Sequence, residues 1–221
     1  MRFFCVFASA LLASSAAYAA GANDYNTSPA SAWAGPYVGA NIGYAWGDVD
    51  FSSVVGTGSM SPDTVIGGVQ AGYNWQFGNN IIVGAEIGAS LLDGNDSTTD
   101  ALGIESKSDS KWGASARLRV GYAVDDWMVY ASGGGAMTDA KGTSIVAPGF
   151  ADTDRKKLTG WVLGAGMEKM MSQNISMRLD YSHYDYGTET FNYNYGPPVG
   201  TGSAKVKTKA DVVTVGVNYK F

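Results

Sequence analysis

After residue 36, apolar and polar residues alternate along eight separate runs of the chain. The first, Tyr37 to Trp46, sets Val38, Ala40, Ile42, Tyr44 and Trp46 against Gly39, Asn41 and Gly43. In the second, Val65, Val69, Ala71, Tyr73, Trp75 and Phe77 oppose Thr64, Gly68, Gln70, Gly72, Asn74 and Gln76. The third places Ile81, Val83, Ala85, Ile87, Ala89 and Leu91 opposite Gly84, Glu86, Gly88 and Ser90, with Ile82 as its exception. In the fourth, Trp112, Ala114, Ala116, Leu118, Val120, Tyr122 and Val124 face away from Lys111, Gly113, Ser115, Arg117, Arg119 and Gly121. The fifth, Trp127 to Met137, is the weakest: Gly133, Gly134 and Gly135 blur its faces, and Tyr130 sits opposite Trp127, Val129 and Ala131. The sixth (Gly160 to Glu168), the seventh (Ile175 to Ser182) and the eighth (Val213 to Phe221) restore the rule. A period of two predicts β-strands with two unlike faces.

Connections alternate in length as well. Long segments (49–62, 92–110, 138–156 and 187–204) alternate with short ones (78–80, 125–126 and 171–174). Four long loops at one end and three tight turns at the other predict an all-β fold, an eight-stranded antiparallel up-and-down barrel.

Alternation does not say which face is outside, because a soluble sandwich turns its apolar parity inward. Three features favour apolar-out, a transmembrane barrel. Aromatic residues sit near the strand ends of the apolar face, with Trp75, Phe77, Tyr122, Trp127, Tyr219 and Phe221 at the turn end and Trp46, Trp112, Trp161 and Tyr181 towards the loops; two such belts mark two membrane interfaces. The other parity is mostly small and polar, which suits a narrow lumen. The runs also reach the roughly ten residues that a tilted strand needs to cross hydrocarbon.

Ahead of the barrel, Arg2, the apolar stretch Phe3 to Ala13 and the small-x-small site Ala17-Tyr18-Ala19 form a cleavable export signal over 1–19. Residues 20–35 read as a flexible leader, and 36–221 as the barrel domain. Cys5, the only cysteine, leaves with the signal, so no disulfide is expected. With a net charge of -5, the chain has no general attraction for nucleic acid.

The sequence resembles the small alphaproteobacterial outer-membrane proteins of the porin-family, opacity-like eight-stranded barrels, which include surface antigens. The resemblance is carried by Trp33-Ala-Gly-Pro-Tyr-Val-Gly, Gly72-Tyr-Asn-Trp-Gln-Phe with Gly84-Ala-Glu, Arg117-Leu-Arg-Val-Gly-Tyr, Gly160-Trp, Gly166-Met-Glu, Arg178-Leu-Asp-Tyr-Ser-His-Tyr-Asp-Tyr-Gly and Tyr219-Lys-Phe. It implies a Gram-negative outer-membrane location and a structural, surface-exposed role in envelope integrity, with a narrow passive pore or a host-contacting adhesin as alternatives. It also implies that Val217, Tyr219 and Phe221 form the C-terminal signature met by the barrel-assembly machinery.

Glu86, Arg117, Arg119, Glu168, Arg178 and Asp180 all fall on the lumen parity near the turn end. Charges there must be paired to be tolerated, so a salt-bridge network is expected, either stabilising the wall or gating ions. Arg155, Lys156, Lys157, Lys205, Lys207 and Lys209 gather at the loop ends, where lipopolysaccharide phosphates are candidate partners and ordinary solvated rim charge is the alternative. Asp93, Asp96, Asp100, Glu105 and Asp109 do not have the spacing of a calcium loop. Phe191, Tyr193 and Tyr195 either pack on the rim or meet host molecules. Ser182 and the lone His183 project from opposite faces of one strand, so they make no nucleophile and base pair. No enzyme activity, cofactor or metal is expected.

Overall fold

The computed structural model describes residues 33–53, 56–61, 63–78, 80–99, 105–147, 150–194 and 201–221; the expected signal and most of the leader lie outside these residues. The strands are β1 (Gly35–Ser53), β2 (Gly56–Met60), β3 (Asp63–Gln76), β4 (Ile81–Thr99), β5 (Glu105–Val124), β6 (Trp127–Ala147), β7 (Phe150–Met170), β8 (Ile175–Asn194) and β9 (Thr201–Lys220). From β3 onward each strand pairs antiparallel with the next, and β9 returns to pair with β1. Both β2 and β3 pair with β1, so they are two pieces of one stave and the closed wall has eight.

The seam is tied at the turn end on both sides of β9. Lys220 N donates to Asn174 O at 2.8 Å, and Phe221 N to Pro36 O at 3.1 Å. Asn80 and Asp125 occupy left-handed conformations in two of the tight turns (φ 61° and 54°), a region that Asn and Asp enter more readily than other side chains.

The apolar parity faces outward along the whole wall; Leu91 is 71% and Ile42 64% exposed. So large a continuous apolar surface is far beyond what a water-soluble monomer shows, and hydrocarbon is the solvent that accommodates it. Within β6, Met128 and Tyr130 face the lumen while Trp127 and Val129 face out, so the glycine run leaves the alternation intact.

The long loops expected from sequence turn out mostly to be strand. Ladders continue to Thr99 opposite Glu105, Ala147 opposite Phe150 and Asn194 opposite Thr201. Outside the membrane both faces of a hairpin meet water, so nothing enforces alternation there, yet cross-strand bonds still satisfy the backbone. The extensions do not form a continuous cylinder. Pairing of β3 with β4 stops at Ile66 opposite Leu92, and pairing of β7 with β8 at Trp161 opposite Asp185.

Candidate functional site

The lumen is the most densely organised part of the molecule. Alternation aims Glu86 from β4, Arg117 and Arg119 from β5, Glu168 from β7, and Arg178 and Asp180 from β8 into it, and register brings all six together. Glu86 is the hub: its carboxylate accepts from Arg117 Nη2 at 2.8 Å, Arg178 Nη1 at 2.6 Å and Tyr37 OH at 2.7 Å. Asp180 accepts from Arg117 and Arg178, each at 3.3 Å, from Tyr130 OH at 2.8 Å and from Ser182 Oγ at 2.7 Å. Glu168 accepts from Arg119 at 3.2 Å and Asn218 at 2.8 Å, and from Ser176. Three cations therefore meet three anions, and the cluster is neutral. The guanidinium of Arg119 also lies 4.6 Å from the Tyr37 ring and 5.4 Å from that of Tyr130, which adds cation–π attraction where water is scarce.

The sequence reading found the charges but not the neutral groups that complete the network. Tyr37, Asn74, Gln70 and Asn218 are buried in the lumen; their parity was legible, their partners were not. Tyr37 and Tyr130 need room, and glycine supplies it: a Cβ on Gly72 would overlap Tyr37, and one on Gly166 would overlap Tyr130.

Apolar layers lie in the lumen on either side of the charges. Ile82, the exception to the third run, is fully buried with Met128, Ala123, Tyr130 and Trp33 at the turn end. Trp33, at the end of the stretch read as leader, donates its backbone N–H to Gln76 Oε1 at 3.3 Å, and its backbone carbonyl accepts from Asn74 Nδ2 at 3.2 Å. Towards the loops, Ala45, Ile66 and Val212 pack with Leu92 and Tyr184, and Val162 and Leu158 are buried. Buried side chains thus occupy the lumen at three levels.

Of the six basic residues of the loop end, the five with described side chains have different neighbours. Lys156 turns over the mouth, donating to Thr190 O, with Glu189 at 3.8 Å and the Phe191 ring at 5.5 Å. Phe191 is buried there. Lys157 lies opposite Asp139, Lys207 opposite Asp50 and Lys209 opposite Asp48, with Asp185 a further 3.7 Å from Lys209. Lys205 lies opposite Ser52 and Thr190. The side chains of Arg155, Tyr193 and the second-loop acids fall outside the described residues, as does Tyr195. Val217 and Tyr219 on β9 and Phe221 just after it are exposed, and the last two rings meet edge to face at 5.2 Å. Ser182 points inward and His183 outward, as alternation requires.

A closed eight-stave wall, apolar outside and lined by buried polar and apolar layers inside, defines an outer-membrane β-barrel. The profile of the outer membrane protein beta-barrel domain family matches residues 5–221, and the chain belongs to that family. It is 33% identical over 208 residues to the 31 kDa outer-membrane immunogenic protein of Brucella melitensis biotype 1, covering 86% of this chain and 84% of that one. The 25 kDa outer-membrane immunogenic protein of Brucella abortus biovar 1 is 34% identical over 193 residues, covering 87% and 81%. The 22 kDa outer membrane protein of Rhizobium leguminosarum bv. viciae is 31% identical over 194 residues, covering 87% and 80%. Among solved structures, Neisserial surface protein A aligns at 13% identity with a TM-score of 0.46, covering 84% of this chain and 97% of its own. The protein is a surface-exposed outer-membrane barrel.

Proposed function

We propose that the protein is a non-conducting structural barrel that stabilises the envelope and presents its extended hairpins at the cell surface, as an antigen does. The observation that carries this reading is the burial of the lumen side chains: Ile82 and Met128 below the charges and Val162 above them are fully buried. Gating would require a neutral, mutually bonded set of six charges to separate in a low-dielectric space, which is costly. The same layers argue against a narrow passive pore. With His183 bonded outward to Asp211 and Ser182 inward to Asp180, no nucleophile and base pair forms between them, which supports a non-enzymatic role.

The remaining parts of the reading are export through residues 1–19 with cleavage after Ala19, and engagement of the assembly machinery through Val217, Tyr219 and Phe221. Acidic partners opposite Lys157, Lys207 and Lys209 weaken the case for these lysines as phosphate ligands. Single-channel recording in planar bilayers tests the proposal: the folded protein should give no steady conductance. A stable open level reduced by enlarging Gly164 would replace it with the pore.

A further inference from the structure

The outer face carries an ordered polar patch at the external girdle. Four side chains follow one another across β8, β9, β1 and β3 in a single transverse row: His183 opposite Asp211, Asp211 opposite Trp46, and Trp46 opposite Asp63. The row beneath is Tyr181, Val213, Tyr44 and Val65; the row above begins Asp185, Lys209, Asp48. Apolar below and charged above, the middle row lies at the boundary between hydrocarbon and the headgroups of the outer leaflet.

Each carboxylate of that row has a tyrosine diagonally below it. Tyr181 OH donates to Asp211 Oδ1 at 2.6 Å, and His183 Nδ1 lies 2.8 Å from the same oxygen; Tyr44 occupies the equivalent diagonal position beside Asp63. Both bonds to Asp211 use Oδ1, so Oδ2 remains to accept from a ligand. Between the two carboxylates stands Trp46, 39% exposed and 6.3 Å from the Tyr44 ring.

We propose that Trp46, flanked by Asp63 and Asp211, is a platform for a pyranose ring of the outer-leaflet glycolipid headgroup. A pyranose has an apolar face of C–H groups and a rim of hydroxyl donors. The indole offers a flat, electron-rich surface to the first, and the two flanking carboxylates accept charge-assisted hydrogen bonds from the second. Phosphate is the wrong partner here, because Asp48, Asp63, Asp185 and Asp211 outnumber Lys207 and Lys209, the latter itself 3.7 Å from Asp185. Nor are the acids set to bridge phosphate through a cation: among the described residues no three or more His, Cys, Asp or Glu are grouped to hold a metal ion. The site belongs to a lipid-borne sugar because it opens sideways from the wall, directly above the lipid-facing Val65 and Val213.

The test is native mass spectrometry of the folded barrel in detergent micelles, with glucosyl diacylglycerol against phosphatidylethanolamine of the same acyl chains. The glycolipid should be retained roughly tenfold better. Trp46→Leu should abolish the preference, and Asp63→Asn with Asp211→Asn should reduce it to a similar degree, while Lys205, Lys207 and Lys209→Gln together leave it intact. Folding of each variant is read from its gel shift on boiling; if Trp46→Leu fails to fold, the double Asn variant decides. Equal retention of the two lipids, an unchanged preference in the decisive variant, or a preference that appears only with bisphosphorylated lipid A and vanishes in the Gln variant would overturn the proposal. Free glucose displacing the glycolipid at millimolar concentration would overturn the assignment to a membrane-borne sugar.

Discussion

Glu86→Ala is the most informative single perturbation of the lumen. The side chain is 3% exposed and lies within 4 Å of all three lumen arginines: 2.8 Å from Arg117, 2.6 Å from Arg178 and 3.9 Å from Arg119. Removing it does not orphan them completely. Arg117 and Arg178 keep Asp180 at 3.3 Å, and Arg119 keeps Glu168 at 3.2 Å. What changes is the balance, since three guanidiniums then face two carboxylates and Tyr37 OH loses its acceptor. Breaking one side of a buried charge pair costs about 3–5 kcal/mol, and that range is expected here, because water reaches the lumen poorly and cannot compensate. Glu86→Gln keeps the shape and loses the charge, so it should cost about 1–3 kcal/mol. Asp211→Asn, outside the barrel at the girdle, should cost less than about 1 kcal/mol. The assay is reversible denaturant unfolding in detergent or lipid, followed by tryptophan fluorescence and checked for a single transition. A Glu86→Ala protein within about 1 kcal/mol of the parent would refute the claim that the network holds the barrel together. A double-mutant cycle with Arg178→Ala sharpens the test: the double variant should fall short of the sum by at least about 1 kcal/mol, because Arg178 no longer loses its 2.6 Å partner.

Other outcomes follow from the same geometry. Arg117→Ala and Arg119→Ala should each lower unfolding stability while leaving bilayers silent, since the apolar layers still lie in the lumen; a conductance rise with unchanged unfolding would contradict this. Met128→Ala should cost about 2–5 kcal/mol in the same unfolding assay, because it opens a cavity among Ile82, Ala123 and Tyr130. Gly134→Ala should fail to give the folded gel band, as its Cβ would overlap the Ala116 carbonyl, whereas Gly67→Ala, with nothing within 4 Å, should fold normally. Deleting Phe221 should cut the amount of barrel reaching the outer membrane in cells, measured by fractionation, while refolding in detergent persists.

The sequence determined the wall. A period of two is imposed residue by residue wherever one face meets lipid and the other a crowded lumen, so strand identity, facing and the inward aim of Glu86, Arg117, Arg119, Glu168, Arg178 and Asp180 were all legible locally. The same logic fails outside the membrane, where both faces meet water, and strand extensions such as Asn192 opposite Ser203 were read as loop. Tertiary structure alone decided who meets whom. Which carboxylate takes which arginine depends on the stagger between strands distant in sequence, as with Glu86 and Arg178, 92 positions apart. Register likewise put Asp48, Asp50 and Asp139 opposite lysines that looked like a free basic patch, and set Trp46 between Asp63 and Asp211. Alternation fixes the face of a strand, but only closure of the barrel, which couples strand tilt to stagger, fixes its neighbours at each height.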